Sequence, residues 1–500
     1  MSNYPQSTNL IGMSKFKIIH DINLTTKQKA LRINLDKNLY GSFAEIGAGQ
    51  DVATQFFKAG GASGTVAKTI SAYDMTFSDA IYGTVESGRY VCEERLMSML
   101  DHEYNLLIER LDEKRGQVTQ FFSFANTVVA LNYHKNNEAH GWVGVRFQLE
   151  PQGTFHDVVI HIQMLDNDNL LQQQALGIVG VNLIYGCFYY YQDPEILLKS
   201  LMDNLSGDRI QIDMIRFEGP AFEKVDGRLM SLHLVKYGFS NVALFGPDGQ
   251  NQQPSDTLYK RHIVVLRGRF RPVINVHLDM LENGVKQFLQ EPDVDKNRVI
   301  VVSELTLQSL KEEGQGEVID EKDFLDRVDI LCSLGQTVMI TNFHEYYKLV
   351  AYLSKITKLK IGLIIGYPNL EYIFENEHYV DLPGGILESF ATLFSRKVKL
   401  FVYPTLRNQT ILNCMKFTPP LHLIDLFRYL TANNKIEDIY HYNKNNLNVQ
   451  TDNMLDLIKR GETGWELHVP NEVVQMIKDR CLFGFPCVVL PESSTSEHEV

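Results

Sequence analysis

Apolar residues recur along this chain in two rhythms. Over residues 261–440, short apolar runs at 263–266, 299–302, 337–340, 361–365 and 398–402 alternate with stretches of helical period. Strands separated by helices at this spacing predict a parallel sheet with helices on both faces. Residues 121–260 read as a second α/β region, with strands near 142–147, 158–162, 211–217 and 242–245 and a helix over 168–186. Between 93 and 115, Leu96, Met99, Leu100, Leu106, Leu107 and Leu111 mark one face of a long helix. Residues 26–120 form a glycine-rich and helical region, residues 1–25 a polar arm, and residues 441–500 a helical region ending in an acidic, Ser-rich tail. No internal repeat is evident. The expected fold class is therefore α/β: a C-terminal, parallel, doubly wound sheet preceded by an N-terminal α/β region.

Composition narrows the function classes. With 44% hydrophobic and 22% charged residues, the 500-residue chain has the makeup of a globular protein of several domains. A formal net charge of -13 argues against general binding of nucleic acid or of anionic membranes. No stretch reaches the roughly 18–20 apolar residues that span a bilayer. The apolar run around 176–191 is interrupted by Asn182 and by glycines, and reads as a buried core element. The first residues lack the basic and apolar regions of a secretory signal, and no series of amphipathic barrel strands is visible. A cytoplasmic protein without membrane contact is expected. Among six cysteines there is no CxxC pair, and Cys481 and Cys487 are the one close pair. Free thiols in a reducing compartment are expected.

The candidate chemistry lies in Gly268-Arg269-Phe270-Arg271-Pro272-Val273-Ile274-Asn275-Val276-His277-Leu278, between an apolar strand and a helical pattern. This stretch resembles the opening motif of the HIGH-type nucleotidyltransferases, the nicotinate/nicotinamide mononucleotide adenylyltransferases, which reads Gly-Arg-Phe-x-Pro-x-His-x-Gly-His-Leu. Gly268, Arg269, Phe270, Pro272, His277 and Leu278 fall in register. The first histidine is replaced by Ile274 and the second glycine by Val276. The family's second, Ser/Thr-rich signature has no clear match. The resemblance implies a nucleotidyltransferase-like fold, ATP with Mg as cofactor, His277 as a catalytic donor, and Gly268, Arg269, Phe270, Pro272 and Asn275 as cofactor-binding positions. Phosphoryl and nucleotidyl transfer rest on positioning and electrostatics. Ile274 cannot donate to a phosphate, and Val276 adds a branched side chain where a glycine would let the phosphate approach. The implied activity is a nucleotide or phosphate ligand held with weak or absent catalysis.

Other patterns weigh less. Glu45-Ile46-Gly47-Ala48-Gly49 is similar to the acidic-x-Gly-x-Gly loop of methyltransferases, but Tyr40 to Ala44 make a poor strand before it. His344-Glu345 has no second histidine at zincin spacing. Glu304, Asn342 and Gly366 each follow a strand candidate, where a doubly wound sheet forms its ligand crevice. Gly384-Gly385 and Asp226-Gly227 read as turns.

At the scale of the chain, Gly41 to Gln50, Ala72-Tyr73-Asp74, Asn182 to Gly186, Arg228 to Leu232, Phe245 to Gly249, Leu331 to Val338 and Gly384 to Glu388 resemble a soluble bacterial family. Its members have carried the labels nicotinate-nucleotide adenylyltransferase and TonB-dependent receptor. The resemblance covers roughly residues 30–485 and implies no mechanism. A second function class therefore stands beside the first: a noncatalytic structural protein that self-assembles. A homo-oligomer is expected, with the glycines at 41, 47, 49, 60, 61 and 64 near a subunit contact.

Overall fold

A computed structural model of the chain describes residues 24–86, 88–312, 318–395, 397–449 and 451–487. The polar arm, apart from Leu24 and Thr25, and the acidic tail lie outside the described residues. Two large sheets organise the molecule. The chain is α/β, as the alternation of strands and helices implies.

The first sheet has the order β2-β1-β3-β4-β5-β6, with β1 (Leu39–Gly47), β2 (Val66–Ser71), β3 (Gln120–Val129), β4 (His140–Gln148), β5 (Phe155–Met164) and β6 (Ile210–Glu218). β1 runs parallel to both β2 and β3, and the remaining pairs are antiparallel. Helices Thr26–Leu35, Asp51–Ala59 and Asn169–Tyr189 cover one face, and Glu93–Leu111 covers the other. Two expectations are corrected here. Residues 39–47 form a buried strand despite their weak strand pattern. Parallel partners on both edges and helices on both faces bury the segment almost throughout, so it needs no alternation of polar residues. The expected boundary at 120/121 falls inside this sheet, because β3, which has no clear boundary in the sequence, zips onto β1 over its full length.

The second sheet has the order β16-β13-β12-β9-β10-β11-β7-β8. Its strands are β7 (Val242–Phe245), β8 (Asn251–Gln252), β9 (His262–Arg267), β10 (Val299–Thr306), β11 (Thr337–Thr341), β12 (Ile361–Gly366), β13 (Val398–Tyr403) and β16 (Ile436–Asp438). β14 (Thr405–Arg407) and β15 (Thr410–Leu412) make a separate hairpin. β9 to β13 and β16 pair in parallel, and β7 adds an antiparallel edge. Numbered along the chain, the parallel strands lie in the order 3-2-1-4-5-6, a doubly wound arrangement whose switch point falls between β9 and β12. Side chains of β9 alternate between two cores. Val264 and Leu266 pack with helix Asn275–Phe288, while Ile263 and Val265 pack with helix Tyr346–Ile356. This is why 263–266 reads as a continuous apolar run.

The two halves share a helix. In Gly227–Lys236, Met230 and Leu234 belong to the core of the first sheet, and Leu232 and Val235 to that of the second. The expected region 121–260 is thus divided, since β7 and β8 belong to the second sheet. Residues beyond 441 are not a separate layer. Met454, Leu455, Ile458, Trp465, Val469 and Val473 complete the core under Phe270, Val273 and Ile274. Near the chain's end, positive φ angles at Cys481, Phe483 and Gly484 reverse the backbone, and Cys481 is bonded to Cys487 across a Cα separation of 5.8 Å. This corrects the expectation of free thiols at that pair, which a spacing in sequence cannot decide. Cys187, Cys332 and Cys414 are free thiols. Among the described residues no helix is long and apolar enough to cross a membrane.

Candidate functional site

β9 runs directly through Gly268 and the Arg271–Pro272 bond, which is cis, into helix Asn275–Phe288. Gly268, Arg269, Phe270 and Pro272 therefore share one loop at the carboxyl end of a central strand, and Asn275 and His277 lie in the first turn of the helix that follows. Their side chains, however, are engaged within the chain. Phe270 is fully buried at a φ of 51°, its ring lying against Gly268. Pro272 is buried. Arg269 Nη1 lies 3.2 Å from Asp452, and its carbonyl accepts from Arg327 at 3.0 Å. Arg271 Nε donates to Asp323 at 2.6 Å.

The helix start is closed by the C-terminal region. The Asn275 backbone N–H donates to the His468 carbonyl at 2.8 Å, and its side-chain amide donates to the Leu467 carbonyl at 3.2 Å. Carbonyl oxygens thus occupy ground that an anion would take at an open helix N-terminus. His277 is turned onto its own helix. Its Nδ1 accepts the Ile274 N–H at 3.1 Å, and its ring packs edge-on against Phe270 with centroids 5.0 Å apart. Burial pushes the imidazole down to about 4, so it is neutral at pH 7. Nε2 remains as its N–H donor. Ile274, in place of the first histidine, is core.

The other strand-end candidates do not gather into one site. Glu304 is fully buried and bound through both carboxylate oxygens by Arg267, with the Thr341 hydroxyl 2.6 Å away. Asn342 is exposed, and its N–H donates to the Asn241 carbonyl. Gly366 caps helix Tyr367–Ile373. Glu45 is buried at the end of β1, and burial raises its carboxyl to about 8. Gly47, at a φ of +83°, lies against the Val128 backbone, and Gly49 against Asn126, so both serve the packing of their own subunit.

A polar cluster absent from the sequence reading lies in a cleft between the two sheets, where His140, His161 and Asp213 form a hydrogen-bonded chain. Each sits on a strand, and only the antiparallel register of β4, β5 and β6 shows that they meet. In the sequence they are 21 and 52 residues apart, without a motif.

No protein-family model matches the chain, and no curated protein matches it. Among solved structures, the chain is similar to competence/damage inducible protein CihA from Agrobacterium tumefaciens, at 18% identity and a TM-score of 0.22, over 31% of this chain and 88% of that one. A competence-damaged protein (CinA) superfamily protein from Enterobacter cloacae matches at 15% identity and a TM-score of 0.24, over 39% of this chain and 99% of that one. Its counterpart from Escherichia coli gives 17% and 0.22, over 31% and 84%. Overlaps this low carry no argument about activity.

Proposed function

We propose that the doubly wound half is a nucleotidyltransferase-like domain with weak or absent adenylyl transfer, whose phosphate-facing loop is closed by the chain's own C-terminal helices. The observation that carries this reading is the bond from the Asn275 N–H to the His468 carbonyl. Ile274 supports it by supplying no donor where the motif has a histidine. Loss of one such donor costs about 10²–10³ in rate. On this reading ATP reaches the loop only if the segment around Leu467 and His468 moves away. The self-assembly alternative gains nothing from the glycines at 41, 47 and 49, which pack against Phe122, Val128 and Asn126 of the same subunit.

The test is direct. Purified protein supplied with ATP, magnesium and nicotinate or nicotinamide mononucleotide should release pyrophosphate no faster than a control without protein. Robust turnover that is lost in His277→Ala would overturn the proposal.

A further inference from the structure

The cleft between the two sheets has a volume of about 860 Å³, within the range of small-molecule sites. Its walls come from β4 and β5, from the connections before β4 and after β5, from the 89–91 segment, from the 253–259 segment and from Lys355. At its base the hydrogen-bonded chain has a definite order. His161 Nδ1 lies 2.5 Å from Asp213 Oδ1, and His161 Nε2 lies 3.0 Å from His140 Nδ1. Asp213 and His161 are almost fully buried, whereas His140 is only partly so and lines the cleft.

Three features hold this arrangement. Gln163 donates to Asp213 Oδ2 at 2.8 Å, and Gln253 Nε2 lies 3.3 Å from that same oxygen and 3.3 Å from His161 Nδ1. The Trp142 ring packs edge-on against His161 with centroids 4.9 Å apart. Asp213 itself is skipped by the pairing: His161 pairs with Met214 and Ile162 with Ile212, so Asp213 is the extra residue of a β-bulge. Bulges re-aim a side chain and are frequent beside active sites.

The tautomers follow from the acceptors. A buried carboxylate accepts the His161 Nδ1–H, which leaves His161 Nε2 as a lone pair. That lone pair accepts the His140 Nδ1–H, which leaves a lone pair on His140 Nε2 for the cleft. We propose that Asp213, His161 and His140 form a proton relay in which His140 Nε2 is a general base, activating water against a small ester in the cleft between the sheets. In the step, the O–H bond of water breaks and an N–H bond forms at Nε2. The electron pair stays on oxygen, which attacks the acyl carbon, and the alkoxide or phenoxide leaves with its own electron pair. The proton on Nε2 then passes to solvent or to the leaving group. His161 and Asp213 stabilise the imidazolium that forms, as a carboxylate does behind a catalytic histidine.

Burial keeps His140 neutral at rest. Burial pushes its imidazole down to about 4, and the neighbouring His161 and Arg89 act in the same direction, against Asp213 and Asp256. Arg89 and Asp256 are themselves paired at 2.6 Å, and Glu138 and Lys355 also line the cleft.

Two probes test the relay on the full-length chain. With p-nitrophenyl acetate, the protein should release p-nitrophenolate above the solvent rate, and His140→Ala should lose about 10²-fold of that excess. Asp213→Asn should lower kcat while leaving KM unchanged, and His134→Ala, an exposed histidine outside the cleft, should have no effect. With diethyl pyrocarbonate and peptide mapping, His140 should be carbethoxylated at a rate that stays level from pH 8 to pH 5, and more slowly in Asp213→Asn. Absence of ester hydrolysis overturns the water-activating role. In the unsubstituted protein, a His140 that is protected from the reagent or that titrates near pH 6.5 overturns the relay whether or not the variants fold, and in a folded Asp213→Asn an unchanged rate overturns it as well.

Discussion

Arg267 Nε and Nη2 each lie 2.9 Å from a different carboxylate oxygen of Glu304. The pair ties β9 to β10 at the end where a doubly wound sheet binds ligands, and Arg267 also stacks over Tyr346 at 4.3 Å and donates to the His344 carbonyl at 2.6 Å. A carboxylate held in this way is structural. Glu304→Ala leaves a guanidinium unpaired in a largely buried place and should cost about 3–5 kcal/mol. Urea unfolding of the variant measures it, and a loss below about 1 kcal/mol would show that the pair is dispensable.

Trp465 is fully buried in the core that covers Phe270 and Ile274. Trp465→Ala should destabilise the protein by about 3–5 kcal/mol through the cavity it leaves. Thermal unfolding reads this as a lowered Tm. An unchanged Tm would mean that the C-terminal cover contributes little to the fold.

Glu45 carries a pH signature. Burial is the main cause of its raised carboxyl, with Asp51 adding to it and the Ala53 N–H opposing it, for a folded value of about 8 against an ordinary 4.5. Below the ordinary value both folded and unfolded states are protonated, and the stabilising contribution is complete. As pH rises from there through about 8, the unfolded chain releases its proton first, so stability falls. Glu45→Gln removes that slope. The variant should gain on the wild type steadily between pH 5 and pH 8 in parallel denaturant titrations, and two curves that stay parallel across this window would contradict the assignment.

Gly47 has a φ of +83°, and a Cβ placed on it would collide with the Val128 carbonyl oxygen. Gly47→Ala should cost about 2–3 kcal/mol or more, from backbone strain together with displacement of β3. Retention of wild-type stability would mean that β1 and β3 separate without penalty.

The five longer parallel strands of the doubly wound sheet were legible in the sequence because each carries a largely apolar run buried between two helical layers, whereas β16, a short Ile436–Asp438 edge with two acidic residues, was not. β1 and β3 were obscure for another reason. Gly41, Ser42, Ser123 and Asn126 interrupt their apolar character, and only partners distant in sequence make these positions core. The 268–278 loop was also placed correctly after β9. Its cover was not legible, since the bond between Asn275 and His468 joins residues 193 apart through backbone atoms, which leave no trace in side-chain identity. His140, His161 and Asp213 likewise have meaning only once three antiparallel strands are in register and one of them bulges.

The helix Gly227–Lys236, divided between two cores, means that neither half of the molecule owns a complete interior. A cut made on either side of this helix would strip apolar contacts from one sheet and leave the other with an uncovered flank. The chain is therefore expected to melt as one cooperative unit, with no temperature at which one sheet has come apart while the other stands.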